Sequence, residues 1–472
     1  MRDSMKRKPD RVRGLSVAAA LLLVLLSGLA LTGCEETSHE NIDRWMRTEK
    51  GPGKLKSAFK DSGLGLELRA HAGQNLIRMD MGDDVVSALE KMSQDKRDEL
   101  IEVMAKRLWN DARLKDEFAV PAGPQVAAKD ALFDLRRFAS GDTQRAVDRY
   151  LIDWLAEGYY AARARVGRYP GRIIIGTIGP AAAPAILRRA KSMVTAKADA
   201  EGAQFKLEDP LLVALAVSGS ADGVGLLLDL LDVEHNDKTL QKRARNALFI
   251  SYVKNDGSFP TADAKALVPH LDHLVELAKD TDRDVATTSD ALELIGATGA
   301  PACIQPLVGL LTYRHRFDKF IWVAANAAVQ CGKADALVPI ADALPLRRRY
   351  SRKELRGVIV EPMLALADKV ALAREARTLL SSKSWVARVI GIELLDSLEM
   401  PGRAAEDAEL LRGLAKDKTS LRGWWGDQSD LPKRERKKEP RLGQRAAEVA
   451  ARLDPHGKSG SKCLSYGMMT VQ

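Results

Sequence analysis

The sequence predicts an all-α fold, an α-solenoid (α-α superhelix) of stacked helical hairpins, on three observations. Hydrophobic residues make up 46% of the chain but aromatics only 5%, so Ala, Leu and Val carry the apolar content, a mix that favours helix over sheet. Apolar residues recur at i, i+3, i+4 and i+7, the stripe of an amphipathic helix. The stripes also repeat in one register around glycines, the mark of a repeat array.

The register is explicit. Gly219 is followed by Val224, Leu227, Leu228 and Leu231; Gly299 by Ile304, Leu307, Val308 and Leu311; Gly332 by Leu337, Ile340, Ala341 and Leu344. Upstream of the same glycines stand Leu212, Leu215 and Ala216; Leu292, Ile295 and Gly296; Ala325, Ala328 and Val329. A weaker copy surrounds Gly402, with Leu395 and Leu398 before it and Leu410, Leu411 and Leu414 after it. Each glycine is therefore expected to join two helices. One such hairpin cannot bury its stripe alone, so neighbours must stack.

These residues resemble the HEAT family, including the HEAT-like repeats named after phycobilisome lyases. The likeness is carried by an Asp ahead of the first helix, an apolar run and a glycine turn, as in Asp284 to Gly296 and Asp209 to Gly219. The Arg common in the family after the Val is missing from both copies, and Arg245 and Arg69 are the candidates for its role. The aspartates have a physical reason, since a side-chain oxygen at a helix start accepts from exposed N–H groups. The resemblance implies an extended binding surface; it does not carry over lyase chemistry, because fold likeness does not transfer activity.

The start of the chain reads as an export signal. Arg2, Lys6, Arg7, Lys8, Arg11 and Arg13 precede an apolar run from Leu15 to Leu31, a basic region followed by a hydrophobic one. The run closes on Leu31-Thr32-Gly33-Cys34, which resembles the lipobox of bacterial lipoproteins, whose cysteine thiol accepts a lipid. The alternative is a transmembrane anchor, because the run sits at the lower edge of a spanning length. The cysteine at the expected cleavage point favours the lipobox, so the chain is expected to be anchored to a membrane by an acyl group such as palmitate rather than to span it. The resemblance implies the cell envelope, on the periplasmic side of the inner or outer membrane or at the cell surface.

Domain boundaries follow: 1–33 signal peptide, 34–50 tether, 51–117 an N-terminal helical block, 125–453 the repeat solenoid and 454–472 a disordered tail rich in Gly, Ser and Lys. Phe118 to Pro124, with two prolines around Gly123, is the expected break between block and solenoid. Without residues 1–33 the net charge drops from +9 to +5, with 67 of 73 basic and 62 of 64 acidic side chains retained. Much of the basicity therefore belongs to the signal, which argues against nucleic acid as the partner. With Cys34 used by lipid, Cys303, Cys331 and Cys463 are left. A Cys303–Cys331 bridge is compatible with an oxidising compartment, but two buried thiols are the favoured reading.

No catalytic or metal constellation stands out. His270 and His273 are the only close histidines and lack further ligands for zinc. Asp280, Asp282 and Asp284 imitate the start of a calcium loop, but Val285 and Ala291 occupy the positions that need Gly and Glu. Gly457-Lys458-Ser459 lacks the earlier glycine and the strand of a phosphate loop. Tyr150, Trp154, Tyr159, Tyr160 and Tyr169 form the densest aromatic cluster, and Tyr150, Trp154 and Trp109 are read as helix core before recognition surface. The run Lys433 to Pro440, after Trp424-Trp425, is read as a solvated loop.

The expectation is a non-catalytic, lipid-anchored envelope scaffold or adaptor that binds an unidentified envelope protein or peptide, with no cofactor, metal or small-molecule substrate. A nucleic-acid-binding protein of the same fold and an enzyme are the alternatives. The one candidate contact surface is Arg347, Arg348, Arg349, Arg352, Lys353 and Arg356, which follow Pro345 with Glu354 as the sole local counter-charge. Such a cluster suits an acidic partner or anionic lipid.

Overall fold

The computed structural model describes residues 36–456 except 117–118, 200–208, 233–237, 255–260, 399, 401 and 430. Cys34, Cys463 and Gly457-Lys458-Ser459 lie outside the described residues, as do residues 1–33, read from sequence as a signal peptide, and almost all of the expected tail. Among the described residues every regular element is helical, and the single bridge of strand type joins Ser420 to Arg441. Helices pack on their neighbours in chain order, so the fold is the all-α helical-repeat array expected from the stripes.

The chain forms two compact units that divide at Pro170 and Gly171. In the first, helices His39–Trp45, Gly51–Lys60, Leu66–Arg78, Gly82–Leu89, Gln94–Ala112, Gly123–Arg136, Gly141–Ala156 and Tyr160–Ala164 follow in order. The long helix Gln94–Ala112 buries Leu100, Ile101, Met104 and Leu108 completely and packs against Leu66–Arg78, Gly123–Arg136 and Gly141–Ala156. The expected break at 118–124 is thus a connector inside this unit. Helices on either side of it bury their stripes against each other, and Trp154 donates from Nε1 to the Ala112 carbonyl at 2.9 Å. Trp154 is a core residue as read from the sequence, Tyr160 is buried as well, and Tyr150 and Trp109 are half-buried and stack at 5.4 Å.

The second unit carries the repeats. Gly219, Gly299 and Gly402 take φ of +63°, +55° and +81°, the left-handed conformation that lets a helix stop and its successor turn back. At the fourth position the reading differs. Gly332 ends helix Phe320–Gly332, and the left-handed residue is Lys333, at φ +47°. Gly332 serves instead by its smallness, because a Cβ there would meet Ile304 Cδ1 at 2.6 Å. The stripe residues Leu212, Leu227, Leu292, Leu307, Leu337 and Ile340 are all fully buried.

The segment Gly171–Met193 is long and apolar enough by composition to cross a membrane. Ile174, Ile175, Ala182, Ile186 and Ala190 in it are buried, and its two helices pack on Asp209–Val217, which accounts for its apolar face within the array. Cys303 and Cys331 are joined as a disulfide, Cα to Cα 6.3 Å apart, rather than standing as the two free thiols favoured from sequence. Helices Ile304–Leu310 and Phe320–Gly332 pack on each other, which sets the start of one against the end of the next, and that proximity is invisible to local patterning.

Candidate docking surface

The basic segment after Pro345 is held by one aromatic pin. Tyr350 is fully buried; its hydroxyl donates to the Pro345 carbonyl at 3.0 Å, and its ring meets Trp322 and Trp385 edge-on at 5.6 and 6.0 Å. Its N–H donates to the Arg422 carbonyl at 2.9 Å, and that of Arg352 donates to the Trp424 carbonyl at 3.0 Å. With Tyr350 drawn in, the three residues before it point outward, and Arg347, Arg348 and Arg349 are all exposed. The Arg348 guanidinium lies 5.8 Å from the Trp322 ring centre.

The six expected residues divide by role. Ser351 and Glu354 form a reciprocal cap that starts helix Arg352–Leu355, and Glu354 also accepts from Trp322 Nε1 at 3.1 Å. Arg352 and Arg356 reach back to Glu393, with Nη2 and Nη1 at 3.0 and 3.1 Å from its Oε2. Arg445 Nε holds the other oxygen at 2.6 Å. Glu393 is fully buried. Burial would push its carboxyl up, but Arg445, Arg352 and Arg356 outweigh that and hold it below the ordinary carboxylate range. Arg352 and Arg356 are therefore internal ion-pair partners that join helices, while Arg347, Arg348, Arg349 and the exposed Lys353 form the outward group.

A second basic run joins that group from far along the chain. Lys433 to Arg441 holds six basic residues against two acidic ones. It is fastened to the segment that supports Arg349: Trp425 Nε1 donates to the Lys438 carbonyl at 3.2 Å, and Lys437 N–H donates to Gln428 Oε1 at 2.7 Å. Glu439 turns inward and accepts from the Gly423 and Trp424 N–H groups at 3.0 Å each. Gly423, at φ +84° with its turn neighbour Gly426 at +79°, lies so close to Arg349 that a Cβ would meet Arg349 Cβ at 2.8 Å. Asp427 shows that the two runs meet. Hydrogen bonds from Ser429 hold its carboxyl below the ordinary range, and Arg349 and Arg436, from different runs, both add to the effect.

The remaining polar motifs are occupied structurally. His270 bonds to the Ala221 carbonyl at 2.8 Å and His273 faces Asp232 at 3.5 Å, so the two rings serve different neighbours. Asp284 caps its helix by accepting from Thr287 N–H at 2.9 Å, and Asp280 accepts from Asp282 N–H and Arg283 Nε. Arg245 pairs with Asp284 at 3.1 Å and Asp290 at 3.2 Å, a bridge from one hairpin to the next. Arg69 instead donates to the Phe59 carbonyl at 3.1 Å. A cleft of about 540 Å³ beside Arg245 is lined by cations and carboxylates together, Lys238, Lys242, Asp282 and Asp284 among them. Among the described residues no group of three or more His, Cys, Asp or Glu side chains is placed to hold a metal ion.

Sequence reasoning singled out Arg347 to Arg356 but read Lys433 to Pro440 as an independent loop. The exposed Trp425 beside it was the available signal. Neither a scan against protein-family models nor a search of curated proteins returns a match to this chain.

Proposed function

We propose that the chain is a non-catalytic scaffold or adaptor of the bacterial cell envelope, tethered by lipid on Cys34 and built from HEAT-like repeats. The observation that carries this reading is the helical-repeat array itself. Helix stacks on helix through each unit, and ion pairs join helices, as at buried Glu393 and half-buried Arg245. Such arrays offer extended surface for a protein partner. The Cys303–Cys331 disulfide supports an oxidising compartment outside the cytosol.

Exposed apolar residues on separate helices are positions at which contact with a partner can be tested. Val370, Val285 and Leu410 are 66%, 50% and 48% exposed, on three separate helices of the second unit. Photo-crosslinkers placed at these positions in the lipidated chain should trap a discrete envelope protein at one of them at least. Absence of an adduct at all three, in cells where the chain is exported, would remove the scaffold reading. The outward cations favour nucleic acid as a second reading; binding of duplex DNA that weakens steeply with salt would support it.

A further inference from the structure

The strongest unassigned feature of the molecule is the surface made where the two basic runs meet. Arg347, Arg348 and Arg349 come from the loop after Pro345 and Lys353 from the short helix that follows it, Arg434 and Lys438 from a segment some eighty residues later, and all are exposed. Of the nearby carboxylates, Glu354 is engaged in the helix cap and Glu439 on two backbone N–H groups, while exposed Glu435 lies 3.6 Å from Arg434 and Asp427 is felt by Arg349 and Arg436. The cations outnumber these carboxylates, and the patch keeps a basic excess facing solvent. Three of the large exposed apolar side chains stand among them: Leu346 at 49%, Trp425 at 45% and Leu431 at 42%. The Lys437 ammonium sits 4.9 Å from the Trp425 ring centre.

We infer that this composite basic and aromatic face docks on an anionic lipid bilayer, with the cations over the headgroups and Trp425, Leu346 and Leu431 at the headgroup level. Basic residues beside an anionic leaflet gain from its surface potential within a Debye length, and a tryptophan with one apolar and one polar end suits the interface. A protein partner would fit the charge as well. Lipid is favoured because the Cys34 signal places the chain on a membrane, and because a terminal lipid fixes where the chain is held but not which face it presents. A second contact in the body of the protein supplies that orientation. The inference goes beyond the scaffold reading and does not depend on which protein the array holds.

The test uses residues 35–472, which retain every described helix, so that no acyl chain masks the effect. Vesicles of phosphatidylcholine alone are compared with vesicles that also contain phosphatidylglycerol. The chain should sediment with the anionic vesicles at low salt and not with the neutral ones. Replacing Arg347, Arg348 and Arg349 with Ser should weaken binding roughly tenfold or more, as should Arg434→Ser with Lys438→Ser, and the two sets together should abolish it. Arg347→Lys, Arg348→Lys and Arg349→Lys together should retain binding, because the field reads charge. Equal binding to both vesicles overturns the inference. So does anionic binding that neither Ser set alters, or binding of poly-glutamate through these residues while the vesicles are ignored. Loss of the crosslinked partner with vesicle binding intact would count against the scaffold reading alone.

Discussion

The two units bury charge of opposite sign. Below the surface of the first lie the cations Arg69, Lys129 and Arg163, together with His71; below that of the second lie the anions Glu393, Asp396 and Asp407. The partners differ accordingly. Fully buried Lys129 donates to the Val166 and Tyr169 carbonyls at 3.0 and 2.8 Å and pairs with Asp130, and Arg163 donates to the Trp154 carbonyl at 2.8 Å. In the second unit the anions are met by guanidinium groups: Glu393 by three arginines, Asp396 by Arg445 and Asp407 by Arg377. A buried cation can be served by carbonyls, which every loop supplies, whereas a buried carboxylate needs donors, and Arg brings several in one rigid fork. In the first unit Lys129 thus ties a helix to the loop at 166–169, while Arg69 and Arg163 join helices through backbone carbonyls; the second joins helices through side-chain ion pairs across its repeats.

The largest expected effect follows from that difference. Glu393→Gln removes the charge that three arginines share and leaves them partly buried without it, which should cost about 3–5 kcal/mol in chemical denaturation of the second unit. A change under about 1 kcal/mol would mean the arginines find solvent instead. Lys129→Met should cost less, about 1–3 kcal/mol. It leaves two carbonyls short of a donor, but Asp130 keeps the Arg168 and Tyr169 N–H groups at 2.7 and 3.2 Å. If Lys129→Met proved the more damaging change, the contrast between carbonyl and guanidinium partners would fail.

Acid should separate the units. Burial first, then Arg107, holds the His71 imidazole below its ordinary 6.5 against the pull of Asp43, with His39 a smaller repulsive neighbour. As pH falls below 6.5 the unfolded chain takes up a proton that the folded one refuses, so the first unit loses stability until the folded value is passed. In the second unit, burial raises the Asp290 carboxyl to about 6 against the opposing pull of Arg245. Between about 6 and 3.8 its folded form holds a proton that the unfolded form releases, so acid adds stability there. Glu393 contributes fully above 4.5 and fades only as pH falls through its lower folded value. Peptide-resolved hydrogen exchange at neutral pH and at about pH 5 should therefore show protection lost first in residues 36–170. Loss in both units together, or in the second first, would contradict the comparison.

The smallest effect belongs to the outward cations. Arg347→Ser, Arg348→Ser and Arg349→Ser together should shift stability by no more than about 0.5 kcal/mol, since exposed charges contribute little to folding. A larger loss would show that Arg348 over Trp322 is part of the core of that turn.

The helical array was legible because its signal is local. The spacing of Leu212, Leu227, Leu292 and Leu307 states which face is buried within a single turn of chain, and all four are buried. The exception at Gly332 is instructive. A glycine at the right offset marks a turn, but whether it supplies the left-handed φ or the close approach depends on Ile304, 28 residues earlier. The candidate surface was half legible for the same reason. Arg347 to Arg349 are a visible run, but the capture of Arg352 and Arg356 by Glu393 spans 41 and 37 residues. The seating of Lys438 beside Trp425, and of Gly423 beside Arg349, depends on hydrogen bonds to backbone carbonyls and on a close backbone approach that leave no sequence pattern. The disulfide was missed likewise, since helical periodicity made two apolar thiols the simpler reading.

The lipid tether is the central claim of the functional account, because the proposed envelope location and membrane orientation both rest on it. Intact mass and N-terminal peptide mass of the chain, purified from the membranes of the cells that make it, test it most directly. The expected result is a mature chain that begins at Cys34 and carries the added mass of acyl groups on that residue. A chain that retains residues 1–33, or one that begins elsewhere with Cys34 unmodified, would contradict the account.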